Sequence, residues 1–247
     1  MTRTIRSLIP LALILAAAIL GAGTYAVSLN TRRSEESLFK RVSTLRIGST
    51  TQEDCQPIFS EYTLLAHDTA PPGRPGEEHY VVAVVNRSLN RSAAHPLLWR
   101  LGLRPTAATV DLLFKNDKLA SVRYELQTVS SAVNFGARTE IDVVLQLKNG
   151  ITSATDPSYY VGYGVRPSIF VPQAKQFGLG AILTPTATNN NRKDALDLDF
   201  SCLSAFRGCR APCQLLPAVW TELKRRSSRN EIDLPAEILE DPSCPGS

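Results

Sequence analysis

Apolar and polar positions divide this chain into regimes of different period. From Leu8 to Leu29 the side chains are almost all apolar or small, and no charge falls between Arg6 and Arg32. Taken as a helix rising 1.5 Å per residue, that run extends about 33 Å, enough to cross a hydrocarbon core of roughly 30 Å. A helical period follows from Thr31 to Arg46, where Leu38, Phe39, Val42 and Leu45 recur among charged neighbours and predict a short juxtamembrane helix or linker. Thr50 with Glu53 three residues later reads as a capping box, opening a helix that runs to Tyr62 with Pro57 in its first turns. The Ala70–Gly76 stretch then ends regular structure.

The period next changes to two. Tyr80–Val85 is a continuous apolar run of the kind a central strand shows. Val110, Leu112 and Phe114, a polar turn at Asn116–Asp117, and Ala120, Val122, Tyr124 and Leu126 predict an antiparallel hairpin with one dry face. Ile141, Val143, Leu145 and Leu147 repeat the alternation as a third strand, which Asn149–Gly150 closes with a pair suited to a type I′ turn. A one-sided sheet needs an apolar cover, and a C-terminal helix with Leu215, Leu216, Val219, Trp220 and Leu223 on one stripe is the best candidate. Between them, Ser153 to Asp199 reads as loop-rich, with Ala195–Phe200 as a short strand whose acids face water.

These patterns predict an α+β fold: an antiparallel sheet of about four or more strands covered by helices, preceded by one N-terminal transmembrane or signal segment. The expected divisions are 1–30 for that segment, 31–46 for the juxtamembrane helix or linker, 47–240 for a single extracytoplasmic α+β domain, and 241–247 for a tail. The first segment also fits a cleaved secretory signal, with Arg3 and Arg6 as a basic start and small residues at Thr24 and Ala26 for cleavage. Continuation of the apolar run past Ala26 through Val27 and Leu29 favours the uncleaved anchor in the cell inner membrane. Basic residues flank both ends, so charge alone does not orient the span; the short N-terminal tail places the bulk of the chain outside the cytoplasm.

Charge changes the picture little. Setting aside Arg3 and Arg6 leaves 25 basic against 23 acidic residues, so the net +4 signals no nucleic-acid surface. The local cluster Lys224, Arg225, Arg226 and Arg229 sits where cations offset a helix C-terminus. Cys202, Cys209, Cys213 and Cys244 crowd the last fifth of the chain, and an oxidising compartment would pair them: Cys202 with Cys209 or Cys213, and Cys244 stapling the tail. Zinc is the rival use, but no C-x-x-C pair occurs, and neither a metal nor any other cofactor is expected. Cys55 is left over, expected to be buried on its helix.

Catalytic signals are weak. His67, His79 and His95 match no helical metal spacing, and the acids Asp194, Asp197 and Asp199 lack a calcium loop's glycine and closing glutamate. Asn86 and Asn90 begin glycosylation-type triplets. The one stretch suited to a ligand groove is the tyrosine- and glycine-rich Tyr159, Tyr160, Tyr163 and Arg166 region.

Ile47–Gly48–Ser49–Thr50 opening a helix, followed by the hairpin around Phe114–Leu119, resembles the small SmpA/OmlA outer-membrane assembly lipoproteins. The similarity covers about 35 residues and carries no functional residue; this chain has no lipid-attachment cysteine and holds some 45 residues more between helix and hairpin. The resemblance implies an α+β fold and an envelope protein as partner. The function expected is therefore a non-enzymatic, membrane-anchored binding or assembly module, held to the membrane through Leu8–Leu29. The alternative is a periplasmic hydrolase or small-ligand-binding enzyme with its site at Tyr159–Arg166 near His79 or His95.

Overall fold

Helix α1 runs unbroken from Thr2 to Thr44, with Pro10 inside it. The computed structural model describes residues 2–69, 76–85, 106–128, 158–166, 174–205, 209, 211–229, 239 and 244. The two ends of α1 meet different surroundings. Leu11, Leu13, Ile14, Leu15 and Ile19 are each more than 60 % exposed, whereas Leu38, Phe39 and Val42 are at most 3 % exposed. Apolar side chains presented in such numbers to solvent carry a cost that a lipid environment removes. The helix is long and apolar enough to cross a membrane. Its lower half belongs to the fold: the helix continues through residue 30 and ends at Thr44, and from Thr24 onward one side of α1 is buried at Thr24, Ser28, Thr31 and Glu35.

After α1 the chain turns at Gly48, whose φ of 90° lies in the left-handed region that glycine adopts freely. Helix α2 spans Gln52–Glu61. Its capping box is Thr51 with Asp54, one residue later than the sequence pattern indicates. The hydroxyl of Thr50 is already engaged, accepting from the Arg46 N–H at 2.8 Å to close the preceding turn, so the next hydroxyl caps the helix.

The fold is α+β. Strands β1 (Thr63–Thr69), β2 (Glu77–Val85), β3 (Thr106–Lys115), β4 (Lys118–Thr128), β5 (Ser158–Arg166) and β6 (Ala174–Leu183) form one sheet in the order β1-β2-β3-β4-β6-β5. Every neighbouring pair is antiparallel. The β3–β4 hairpin closes through Asn116 and Asp117 at φ 51° and 61°, the paired positive values of a type I′ turn, whose twist matches that of the strands. Val110, Leu112, Phe114, Val122, Tyr124 and Leu126 fill the dry face as expected. Ala120 does not. The register steps from Leu113↔Ser121 to Phe114↔Leu119, so Ala120 bulges and Leu119 takes its place in the core.

Helices cover that dry face. Helix α3 (Asn189–Leu196), a 3-10 turn at Phe200–Ser204 and helix α4 (Pro217–Ser228) complete the described elements. Pro217 starts α4 at the position where a missing N–H costs nothing. Leu215 and Leu216 are therefore buried from the turn before the helix, and Val219, Trp220 and Leu223 from the helix itself. Phe39 of α1 meets Tyr124 edge-on at 5.1 Å and Phe200 at 5.2 Å, which ties helix, sheet and 3-10 turn together. Each such large side chain taken from water contributes about 1.5–3 kcal/mol.

Two regions differ from the sequence reading. Residues expected in a loop between Ser153 and Asp199 form the paired strands β5 and β6: Tyr160 faces Gly180, Gly162 faces Gly178 and Gly164 faces Gln176, so each glycine is held in the ladder by a partner on the neighbouring strand. Ala195–Phe200 is not a strand. It holds the end of α3, where Thr188 caps the Asn191 N–H, and the start of the 3-10 turn, where Asp199 accepts from the Ser201 N–H at 2.8 Å. The third strand at Ile141–Leu147, the Asn149–Gly150 turn, His95 and the Asn86 and Asn90 triplets lie outside the described residues.

Candidate functional site

Where α1 ends, its last turn and the following residues stand against one face of α3. Ser43, Thr44, Leu45 and Arg46 form one wall of a groove, and Asn189, Arg192, Lys193, Leu196 and Asp197 the other; its volume is about 450 Å³. The α3 residues recur at helical spacing because they share one side of that helix. Ala195 on its other side is fully buried and its carbonyl accepts from the Tyr124 hydroxyl at 2.5 Å, which fixes the helix on the sheet. Arg192 is held in place: its Nη2 donates to the carbonyls of Thr184 at 3.4 Å and Pro185 at 3.1 Å. Its Nε is buried with no acceptor. Arg46, Lys193 and Asp197 are exposed. The groove thus presents three cations against one carboxylate, with hydroxyl and amide groups between them.

A second polar feature lies inside the protein. Glu35 is 0 % exposed on the side of α1 that faces the sheet. Its Oε1 accepts from the Thr106 hydroxyl at 3.1 Å, and its Oε2 has no partner. Burial pushes its carboxyl up to about 8; the Thr106 bond opposes this and the neighbouring Glu36 adds to it. The acid is therefore neutral at the lower end of the physiological range.

The outer face of the sheet carries a half-buried row. His79 Nδ1 lies 3.4 Å from Asp111 Oδ1, and Asp111 pairs in register with Arg123. Desolvation raises the Asp111 carboxyl above its ordinary range, while His79 and Arg123 pull it back. At the β1 edge, His67 stacks on Tyr80 at 4.2 Å and shares Glu78 with the Tyr80 hydroxyl; the Tyr80 and His67 bonds hold that half-buried carboxyl below its usual range. Among the described residues no group of three His, Cys, Asp or Glu side chains is placed to hold a metal ion.

The residues proposed from sequence for a ligand groove do not form a loop. Tyr159, Tyr160, Tyr163 and Arg166 lie on β5, at the end of the strand order. Their register partners are Ala181, Gly180, Phe177 and Ala174, so Tyr159 and Tyr163 alternate with Tyr160 and Arg166 along the strand. His79, on β2, is four strand spacings away, about 19 Å. The structure therefore does not bring the tyrosine segment to a described histidine. The cysteines do come together: Cys202 bonds Cys209 and Cys213 bonds Cys244, while Cys55 is free and buried, its thiol pushed up to about 11 by burial.

No family model, characterised relative or solved structure matches this chain. The groove residues Arg46, Arg192 and Lys193 escaped the sequence reading because α1 and α3 are far apart in the chain. Glu35 had a visible signal: it precedes Leu38, Phe39 and Val42 at helical spacing, a lone acid on an apolar stripe.

Proposed function

We propose that this chain is a non-enzymatic binding module of a bacterial envelope, anchored in the inner membrane with its soluble domain on the extracytoplasmic side. The observation that carries the reading is α1, a single helix whose first half exposes apolar side chains and whose second half is part of the domain core. A module built this way has no linker between span and core. Its domain is seated at a fixed height and tilt, which suits a protein that presents a surface to a partner at a set distance from the membrane. Tyr25, exposed where the helix enters the domain, suits the membrane interface, where aromatic rings with a polar tip are enriched. The two disulfides fit an oxidising compartment.

The assembly role implied by the SmpA/OmlA resemblance is part of the proposal. Its support is that the two resembling motifs touch. The Gly48 N–H donates to the Leu119 carbonyl at 2.7 Å, and the Leu119 N–H donates to the Thr50 carbonyl at 2.8 Å, so the helix-opening turn is clamped to the hairpin.

The test is the mass of the mature chain from isolated membranes, with labelling of a Lys115→Cys variant by an impermeant maleimide. An intact N-terminus and labelling from the extracytoplasmic side are expected, Cys55 staying silent because it is buried. A soluble chain beginning after Ala26, or labelling only once the cytoplasm is opened, would falsify the proposal.

A further inference from the structure

The groove between α1 and α3 indicates what such a module holds. The chain beyond its apolar segment is nearly balanced in charge, yet Arg46, Arg192 and Lys193 converge there with only Asp197 against them. Arg46 and Lys193 make no side-chain ion pair or hydrogen bond among the described residues. Arg192 differs: its Nη2 donates to two carbonyls, which holds the guanidinium, while its buried Nε has no acceptor. Ser43 and Thr44 give their hydroxyl protons to the carbonyls of Lys40 and Arg41. The Thr44 and Leu45 bonds to the Arg41 and Val42 carbonyls also occupy oxygens at the α1 C-terminus that would otherwise repel an anion. Asn189, on the opposite wall, is the first residue of α3, at that helix's positive end.

We infer that this groove binds an oxyanion, a carboxylate or phosphate group borne by a small polar molecule or a peptide. Arg46 and Lys193 close on it from the two walls, and Arg192, on the same wall as Lys193, adds a charge held by its two carbonyl bonds. The inference rests on the binding-module reading and names the ligand class of that module. It also sets the ligand's source. Fifteen helical residues separate Leu29 from Thr44, and 21 separate Gly23 from Thr44, which places the groove roughly 20 to 30 Å beyond the membrane-spanning run. The headgroups of the anchoring membrane are out of reach, so the oxyanion comes from a soluble or envelope-borne molecule.

The experiment uses the full chain in zwitterionic nanodiscs, titrated calorimetrically with citrate and with inorganic phosphate. Saturable binding of at least one probe is expected. It should weaken about tenfold in Arg46→Ala/Lys193→Ala, since charge-assisted bonds carry the affinity. Arg33→Ala, an exposed cation about 20 Å down the same helix, should leave it unchanged. Citrate binding without phosphate binding assigns a carboxylate ligand, and the reverse assigns a phosphate. Binding of neither probe, equal binding by the double variant, or loss on replacing the zwitterionic lipid with phosphatidylglycerol overturns the inference. Both substituted residues are exposed, so unfolding does not confuse the result, and an unchanged melting midpoint confirms it. Failure of the anchored reading appears separately, in the mature mass.

Discussion

Replacing Glu35 by glutamine should change how stability depends on pH. The folded protein holds this carboxyl at about 8 against an ordinary 4.5, because the side chain is wholly buried and only its Oε1 is hydrogen-bonded. The unfolded chain ionises it at the ordinary value. Between the two, the folded state binds the extra proton, so stability falls as pH rises from about 4.5 and levels off above about 8. The whole displacement corresponds to about 5 kcal/mol at high pH, to order of magnitude. Glutamine keeps the size and the acceptor for Thr106 but cannot ionise. Below pH 5 the two proteins should differ by about 1 kcal/mol or less, the amide's extra donors being the variant's cost.

At pH 9 the variant should be the more stable, with a melting midpoint higher by on the order of 10 °C for a domain of this size. The assay is thermal unfolding of the full chain in detergent, wild type and variant side by side at half-unit steps from pH 5 to 9. Subtracting the two curves cancels groups common to both, including Asp111, Glu78 and the other shifted carboxylates. A difference that stays constant across the range would refute the reasoning, because the carboxyl would then have to ionise alike in both states. Arg32 and Glu36 are the charged neighbours on α1; Arg32 is paired to Glu36 at 2.7 Å and reaches Ser204, so neither neutralises Glu35.

Other outcomes follow from single contacts. Cys213→Ser/Cys244→Ser should destabilise more than Cys202→Ser/Cys209→Ser, about 4 against about 2.5 kcal/mol on a loop-entropy account, since the first bridge spans 31 residues and the second 7; equal melting losses would count against that account. Cys55 should react with a thiol reagent only at the rate of unfolding, and prompt modification of the native chain would contradict its burial. Tyr124→Phe should cost about 1–2 kcal/mol by leaving the Ala195 carbonyl without its donor, read as a lower midpoint in denaturant with unchanged slope. Gly48→Ala should cost about 1 kcal/mol from backbone strain alone, because its φ is 90° and nothing crowds an added methyl; no loss would mean that the turn relaxes.

The sequence by itself determined the apolar first helix, the hairpin and the cover. Each rests on a local period: an uninterrupted apolar run, alternation on either side of Asn116–Asp117, and Val219, Trp220 and Leu223 at helical spacing. It also determined that the clustered cysteines could pair and that Cys55 would be left over. Tertiary structure decided the remainder. The stretch holding β5 and β6 read as loop because glycine weakens an isolated strand, and only the pairing of β5 with β6 gives Gly162, Gly164, Gly178 and Gly180 their ladder partners. Ala195–Phe200 alternates like a strand over too few residues to exclude a helix end followed by a 3-10 turn, and the carbonyl of Ala195 under Tyr124 settles which forms. The Thr50 hydroxyl was lost to Arg46, moving the cap by one residue. The groove was illegible for the same physical reason. Arg46 and Lys193 lie far apart in the chain, and only the packing of α1 and α3 on the same sheet brings their charges to one place.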